Sequence, residues 1–449
     1  TFCQASTILS NRLLAGNRDK HTINKKLNEH TMSTVHKIIK EDSEKKDKKR
    51  KGIVDILDIE HVDKAGEAAL YYGFTPIKTP ALSGDDIQKA KNVSQGEVII
   101  DSDTHENGAI VRLEEKISLL RSYEENALYT SPQPIMVYYS RPFLHDKRKL
   151  NAKEIHRGLE IIGTDKSVAE AILIQTSLAI LRDQGFKNLR VEINSIGDKE
   201  SVARFGREIS TYYKKHLSDL PAQCKQMMRK DIFSLLGCQH DKCKTLALEC
   251  PKSINFLSEK SRTHFREVLE YIEMLEIPYM INNTLVANRD YCSETVFEIR
   301  AEGEDHPLAV GLRYDTLAKK LGHKKEIASV GVSLAFKKPE KLPFLKKTTV
   351  QKIMNPSLSY IQLGFEAKLK SLGVIEILRE ARIPLTHSIV KDKIAGQVVV
   401  AEKTRSETIL IMGKKEAMEQ SVIVRDATTR SQDTVLVKNL AEHLKRLKV

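Results

Sequence analysis

The stretch "LVANRDYCSETVFE" at residues 285–298 places Arg289, Asp290, Tyr291, Cys292, Ser293 and Glu294 between two apolar segments. Such a run of hydrogen-bonding and ionisable groups, flanked by chain that reads as buried, is the pattern of a pocket wall that can grip a polar ligand. A second concentration lies in "VYYSRPF", the basic loop "LHDKRKLNAKE" and "IHRGLEIIG". There Arg141 and the loop join two apolar strands, and a hairpin tip so charged can reach a phosphate, although a solvated loop reads equally well. The third is a cysteine group, Cys224, Cys238, Cys243 and Cys250 with His240 beside it, spaced C-x13-C-x4-C-x6-C. Thiolate zinc sites usually contain a tight C-x2–4-C pair, a rule that "CQHDKC" meets only loosely and no second pair meets. Structural zinc and buried or free thiols both stay open.

These groups need elements to position them. Helical apolar spacing runs from Ile53 to Leu70, the turn residue Gly73 follows, and "TPIKTP" reads as a strand because proline blocks helix. Residues 109–123 read as a strand passing into an amphipathic helix, 134–143 and 155–163 as paired strands, 167–186 as a helix and 188–197 as a strand. From about 198 to 262 the pattern turns helical, charged and cysteine-bearing, an inserted subdomain. A helix over 264–277 leads to the 285–298 stretch, and 306–322 and 327–338 each read as strand–helix. Beyond Pro356 strands at 359–364 and 385–390 flank a helix, followed by 398–413, 421–429 and a terminal basic helix, a small α/β pattern. The expected domains are a basic tail at 1–52, a main domain at 53–345 and a second at 356–449.

At 449 residues the chain exceeds what one core supports. The balance of 73 Lys+Arg against 60 Asp+Glu leaves a net charge of +13, which favours a polyanionic partner such as nucleic acid. Six cysteines, no secretory signal and no run of about 18 apolar residues point to a reduced, cytoplasmic protein without a membrane span. The acid-free segment 1–18 leaves an organellar transit peptide open, and Met32 opens a stretch that looks like a bacterial start. Neither a G-x-x-x-x-G-K-[ST] loop nor a G-x-G-x-x-G after a strand is present, so any nucleotide chemistry uses another architecture.

The order of these pieces resembles the class II aminoacyl-tRNA synthetases, and within them the histidyl-tRNA synthetase family. "YYGFTPIKTPAL" is similar to the family's first motif, and "VYYSRPF…EIHRGLEIIG" to its second. "LVANRDYCSETVFE" resembles the histidine-specific segment "LVRGLDYYTRTVFE", "GLRYDTLAKKLG" resembles "GGRYDGLVEQLGG", and "SVGVSLAFKK" stands where the third motif belongs. The tail from "ETILIMGKKE" through "SVIVRDATTRSQDTV" resembles the anticodon-binding domain.

The resemblance implies an α+β catalytic domain on an antiparallel sheet, a helical insertion, and a C-terminal anticodon-binding α/β domain, assembled as a homodimer. It implies ATP-dependent activation of histidine with Mg²⁺, then transfer to tRNA-His. The histidine carboxylate attacks the α-phosphate, so fixed cations must meet the charge that builds at phosphorus. By this likeness Arg141 and Arg289 carry the catalytic charge. ATP is met by Arg112, Arg141, Arg313 and Lys338. Histidine is met by Glu114, Lys116, His156 (or Arg157), Glu160, Asp290, Tyr291 and Cys292. Several positions depart from the pattern: Lys116 replaces a threonine, Ala287 and Glu294 replace arginines, Cys292 a tyrosine, and Lys338 the arginine that stacks on adenine. Lysine lacks arginine's flat fork, so activation is expected to weaken unless Arg289 or Arg313 substitutes. Two other readings follow from the same likeness: a non-catalytic paralogue that binds tRNA or histidine, and a regulatory subunit of ATP phosphoribosyltransferase.

Overall fold

The computed structural model describes residues 52–94, 109, 111–140, 154–286, 290–337 and 343–447. The basic tail, the loop bearing Arg141, and the positions Ala287, Arg289 and Lys338 lie outside them.

Alternation and β-branched content produce the larger sheet. Its strands are β1 (Thr75–Pro76), β2 (Ile135–Ser140), β3 (Glu154–Ile162), β4 (Leu189–Gly197), β5 (Tyr279–Ile281), β6 (Ser293–Ala301), β7 (Ala309–Arg313) and β8 (Ser329–Lys337). They lie in the order β1-β2-β3-β8-β7-β6-β4-β5. The interior pairs are antiparallel, while the edge pairs β1–β2 and β4–β5 are parallel. The helix Val168–Asp183 is buried almost all round, as its Ala, Ile and Leu content requires, and packs on this sheet. Between β4 and the helix Glu259–Met274 sit three helices, Lys199–Lys215, Ala222–Lys230 and Asp241–Glu249. They close around their own cluster, which includes Phe205, Ile209, Tyr213, Phe233 and Leu236.

A second sheet, β9 (Leu358–Gln362), β10 (Thr386–His387), β11 (Thr408–Met412), β12 (Ser421–Asp426) and β13 (Gln432–Leu436), has the order β10-β9-β11-β12-β13. β9 runs parallel to β10 and β11, and the rest is antiparallel. Helices Phe365–Glu380, Ile394–Lys403 and Val437–Arg446 accompany it.

Several sequence expectations change: the helical run expected from Ile53 is a short 3-10 turn, Ile53–Ile56, before the helix Lys64–Tyr71, and 327–338 forms the strand β8 with no helix among its described residues. No described residue before Leu113 forms a strand leading into the 113–125 helix. The strand expected over 385–390 shrinks to two residues. β13 was not anticipated, because its edge position leaves Gln432, Asp433 and Thr434 exposed and erases any apolar alternation. Among the described residues no helix is long and apolar enough to cross a membrane.

The two sheets share one hydrophobic core. The helix Lys64–Tyr71 ends in a Schellman motif: the Phe74 amide donates to Ala69 and the Gly73 amide to Leu70 at 2.9 Å. This requires Gly73 at φ +85°. His387 of β10 donates from Nε2 to the freed Tyr72 carbonyl at 3.0 Å. The ring lies so close to Gly73 that a Cβ there would sit 3.1 Å from Nε2. Nearby, the Tyr72 hydroxyl donates to Glu376, and Arg379 pairs with Asp183 at 2.9 Å.

Burial of the His387 ring, whose Nδ1 is sealed without a partner, holds its pKa down at about 4. The folded value lies below the unfolded one, so the unfolded chain takes up this proton first. The corresponding stability is present above about pH 6.5 and is lost as pH falls toward 4, a swing of roughly 3 kcal/mol. His387→Gln keeps an N–H donor without titrating. Denaturant midpoints measured from pH 7 to 4 should fall less steeply for that variant than for the parent, and parallel curves would refute the assignment.

Candidate active site

Glu160 stands at the centre of the larger sheet and is fully buried. Period-two alternation places it on the same face of β3 as Gly158 and His156. Its cross-strand partners are Val137 on β2 and Gly331 on β8. Glycine is needed there, because a Cβ at Gly331 would lie 1.7 Å from the Glu160 carboxylate. Two residues along on the same face, a Cβ at Gly158 would lie 2.1 Å from the Tyr139 ring. These two glycines clear room for a carboxylate and a phenol inside the sheet.

Three donors converge on that carboxylate. Tyr139 donates to Oε1 at 3.0 Å and Tyr314 to Oε2 at 2.7 Å. Lys116, on the helix Leu113–Glu125 among Leu113, Ile117 and Leu120, points its ammonium at Oε1. That ammonium also lies 5.5 Å from the centre of the Tyr314 ring, within range of a cation–π contact. Lys116, Tyr139 and Tyr314 are as buried as Glu160. Burial, with the neighbouring Glu160 charge second, raises both phenols well above their ordinary pKa, so each keeps its proton and donates. The result is a closed, saturated ion pair.

The other predicted residues divide around it. His156 shares the face of Glu160 and lies 3.5 Å from Glu154. Arg157 faces the opposite side and pairs with Asp63, the N-cap of the Lys64–Tyr71 helix. Glu114 and Arg112 lie at the start of the Leu113–Glu125 helix, both half-buried. Tyr291 and Cys292 pack into the cluster around Leu113, Ile117 and Tyr314. Burial pushes the Cys292 thiol far above its usual range, which leaves it neutral. Asp290 is half-buried and lies 3.9 Å from Lys320. Glu294, in the left-handed region at φ 56°, turns its carboxylate inward at a bulge opposite Gly197 and accepts from Ser261 at 3.0 Å.

Arg313, expected by resemblance to meet ATP, sits in a buried network of this chain's own groups. Its guanidinium is fully buried and held as a fork by Glu170 at 2.7 and 2.8 Å, with Asp315 at 3.2 Å. His264 meets the same Glu170 carboxylate at 2.8 Å. Despite burial, Arg313 and His264 hold Glu170 down at about 2. An arginine so committed has no free donors to offer a phosphate, which also removes it as a substitute for the missing cation at Ala287. Sequence reasoning did not single out Tyr139, Tyr314 or Glu170. Glycine at 158 and 331, inside strands, was the available signal for the first two.

Of the four clustered cysteines, three meet. The sulfurs of Cys224, Cys238 and Cys243 all lie within 4.8 Å of one another, and the Cys224–Cys238 pair is 3.7 Å apart. Cys250 is buried in the same subdomain but outside that group, against the four-cysteine expectation.

The family model for histidyl-tRNA synthetase matches residues 67–338, and that for an anticodon binding domain matches residues 361–447. A curated histidine–tRNA ligase of Halothermothrix orenii is 26% identical over 86% of this chain and 94% of its own length. That of Oceanobacillus iheyensis is 26% identical over 88% and 96%. Among solved structures, the apo histidyl-tRNA synthetase of S. aureus aligns with 84% of this chain and 93% of that chain at 22% identity and a TM-score of 0.45. A catalytic sheet followed by an anticodon-binding module is the architecture of a class II aminoacyl-tRNA synthetase. More narrowly, with 67–338 matched, the chain belongs to the histidyl-tRNA synthetase family.

The buried pair makes a direct prediction. Lys116→Met leaves the Glu160 charge without its cation and should destabilise the protein by about 3–5 kcal/mol. Lys116→Met combined with Glu160→Leu should recover much of that loss, because neither charge then remains buried. Urea denaturation of the single and double variants measures both, and additive losses would contradict the pairing.

Proposed function

We propose that this chain is a tRNA-binding member of the histidyl-tRNA synthetase family whose histidine site is closed by its own Lys116. The observation that carries the reading is the saturated Glu160 carboxylate. By resemblance Glu160 is the group that faces substrate histidine, and Lys116 replaces the family's threonine beside it. A lysine ammonium offers Glu160 the same kind of charge that a substrate amino group would bring. Incoming histidine would have to displace a buried, hydrogen-bonded ion pair, which costs several kcal/mol. Substitution of the pattern's arginines at Ala287 and Lys338 points the same way, because losing one fixed donor lowers such rates by about 10²–10³. Class II synthetases work with ATP and Mg²⁺. In this chain Arg112, Arg141, Arg289 and Lys338 remain the candidate ATP-facing cations, while Glu114, His156 and Asp290 line the histidine side.

The anticodon-binding module and the net charge of +13 support retained tRNA contact. The same module disfavours the phosphoribosyltransferase-regulator reading, since a regulator needs no anticodon reader. A working histidine–tRNA ligase is the second reading, supported by curated ligases that align over 94–96% of their length. We carry the homodimer of the family as part of the proposal.

Histidine-dependent ATP–pyrophosphate exchange separates the readings. The proposal expects exchange at least about 10²-fold below that of a family ligase. It also expects tRNA-His to bind with an affinity that falls steeply as salt rises. Exchange at a ligase's ordinary rate would overturn closure of the site and establish the second reading. In Lys116→Thr, histidine binding measured by calorimetry should appear where the parent shows none.

A further inference from the structure

The helical subdomain between β4 and the helix Glu259–Met274 carries a feature that neither activation of histidine nor tRNA binding uses. Cys224 sits in the first turn of the helix Ala222–Lys230 and Cys243 in the first turn of the helix Asp241–Glu249. Cys238 lies between these helices, in the chain that leads to His240, the N-cap of the second. Three separate pieces of backbone thus deliver one sulfur each to a common point. All three sulfurs lie within 4.8 Å of one another, and the Cys224–Cys238 separation is 3.7 Å.

That separation has a chemical meaning. Four thiolates about 2.3 Å from a tetrahedral zinc ion stand about 3.8 Å apart along each edge. A disulfide would need its sulfurs at about 2.05 Å and would leave the third without a role. Cysteines that merely fill volume have no reason to aim three sulfurs at one point; Cys250, buried in the same cluster and pointing elsewhere, illustrates that ordinary packing. Soft sulfur ligands in a tetrahedral arrangement select zinc over magnesium or calcium.

We propose that Cys224, Cys238 and Cys243 bind a structural zinc ion that staples the two short helices to each other, with Cys250 excluded. Cys224 and Cys243 are buried and Cys238 is half-buried, so a fourth ligand enters from the side of Cys238. The exposed His240, two residues on in sequence, offers a ring of the right chemistry, and water is the alternative donor. Such a staple suits the subdomain, whose own core is small and separate from that of the main sheet. Below a certain core size, metals commonly supply the missing stability.

Full-length protein expressed with zinc should retain about one equivalent by plasma mass spectrometry after exhaustive dialysis. Replacement by cobalt(II) should give the visible ligand-field bands of a tetrahedral ion with sulfur-to-metal charge transfer. Cys224→Ser, Cys238→Ser and Cys243→Ser should each lose most of the bound metal, whereas Cys250→Ser should keep it. Cys238→Ser is the decisive variant, because its half-buried side chain can change without unfolding the subdomain, and circular dichroism checks that it has not. Background metal in the parent, a cobalt spectrum without sulfur charge transfer, or loss of metal in Cys250→Ser equal to that in Cys238→Ser would overturn the proposal. So would two thiols lost to a Cys224–Cys238 disulfide in protein that binds no cobalt after reduction. His240→Ala then reads the fourth position: altered cobalt bands assign it to the ring, and unchanged bands assign it to water.

Discussion

Taking an ionised carboxylate out of water is among the most unfavourable things a fold can do, and the larger sheet does it at Glu160. The surrounding design answers that burden. β3 and β8 must keep the register that sets Glu160 against Gly331, since a slip of one residue would point the carboxylate to the other face. β2 must bring Tyr139 opposite Gly158, and the turn after β7 must bring Tyr314 over the same spot. The helix Leu113–Glu125 must then run close enough for Lys116 to reach in. Four elements are located by one group. A buried ion pair adds little net stability over an apolar core, yet it punishes any arrangement in which one member is unpaired, and here that penalty enforces a single register.

A second buried charge repeats the logic some distance along the sheet. Glu170 binds Arg313 and His264 and so ties the start of the Val168–Asp183 helix to β7 and to the Glu259–Met274 helix. Both carboxylates are met by this chain's own groups, Glu160 by Lys116 and two tyrosines, Glu170 by Arg313 and His264.

Much of the architecture was readable before any coordinates. The helix at 167–186, the strands at 134–143, 155–163 and 188–197, and the helical insertion have the apolar spacing their structures need, because each buries a large and regular face. Elements that bury little were missed or misjudged. β13 lies on an exposed edge, and β10 is two residues long. The site was less legible than the fold, for a different reason. The family resemblance pointed to Glu160, Lys116 and Arg313 as candidates, but whether a cation faces a ligand or a neighbour depends on pairings 44 and 143 residues apart in sequence. Nothing local distinguishes an arginine awaiting phosphate from one already gripped by Glu170. The cysteines show the same limit, since spacing made Cys250 look equivalent to the three whose sulfurs converge.

The junction between the two sheets bears on how such a protein can change over time. Tyr72, at the end of the helix Lys64–Tyr71, presents its carbonyl to His387 and its hydroxyl to Glu376, and Asp183 of the larger layer takes Arg379. Tyr271 meets Phe365 edge-on with ring centres 6.2 Å apart, and the apolar core runs without a break from one layer into the other. The anticodon-binding module is therefore not a detachable bead. Its inner wall is the outer wall of the catalytic layer. Should chemistry in that layer fall silent, its strands and helices would still be held under selection as the foundation on which the RNA-facing half stands, which gives a plain reason for an entire synthetase body to outlast its reaction.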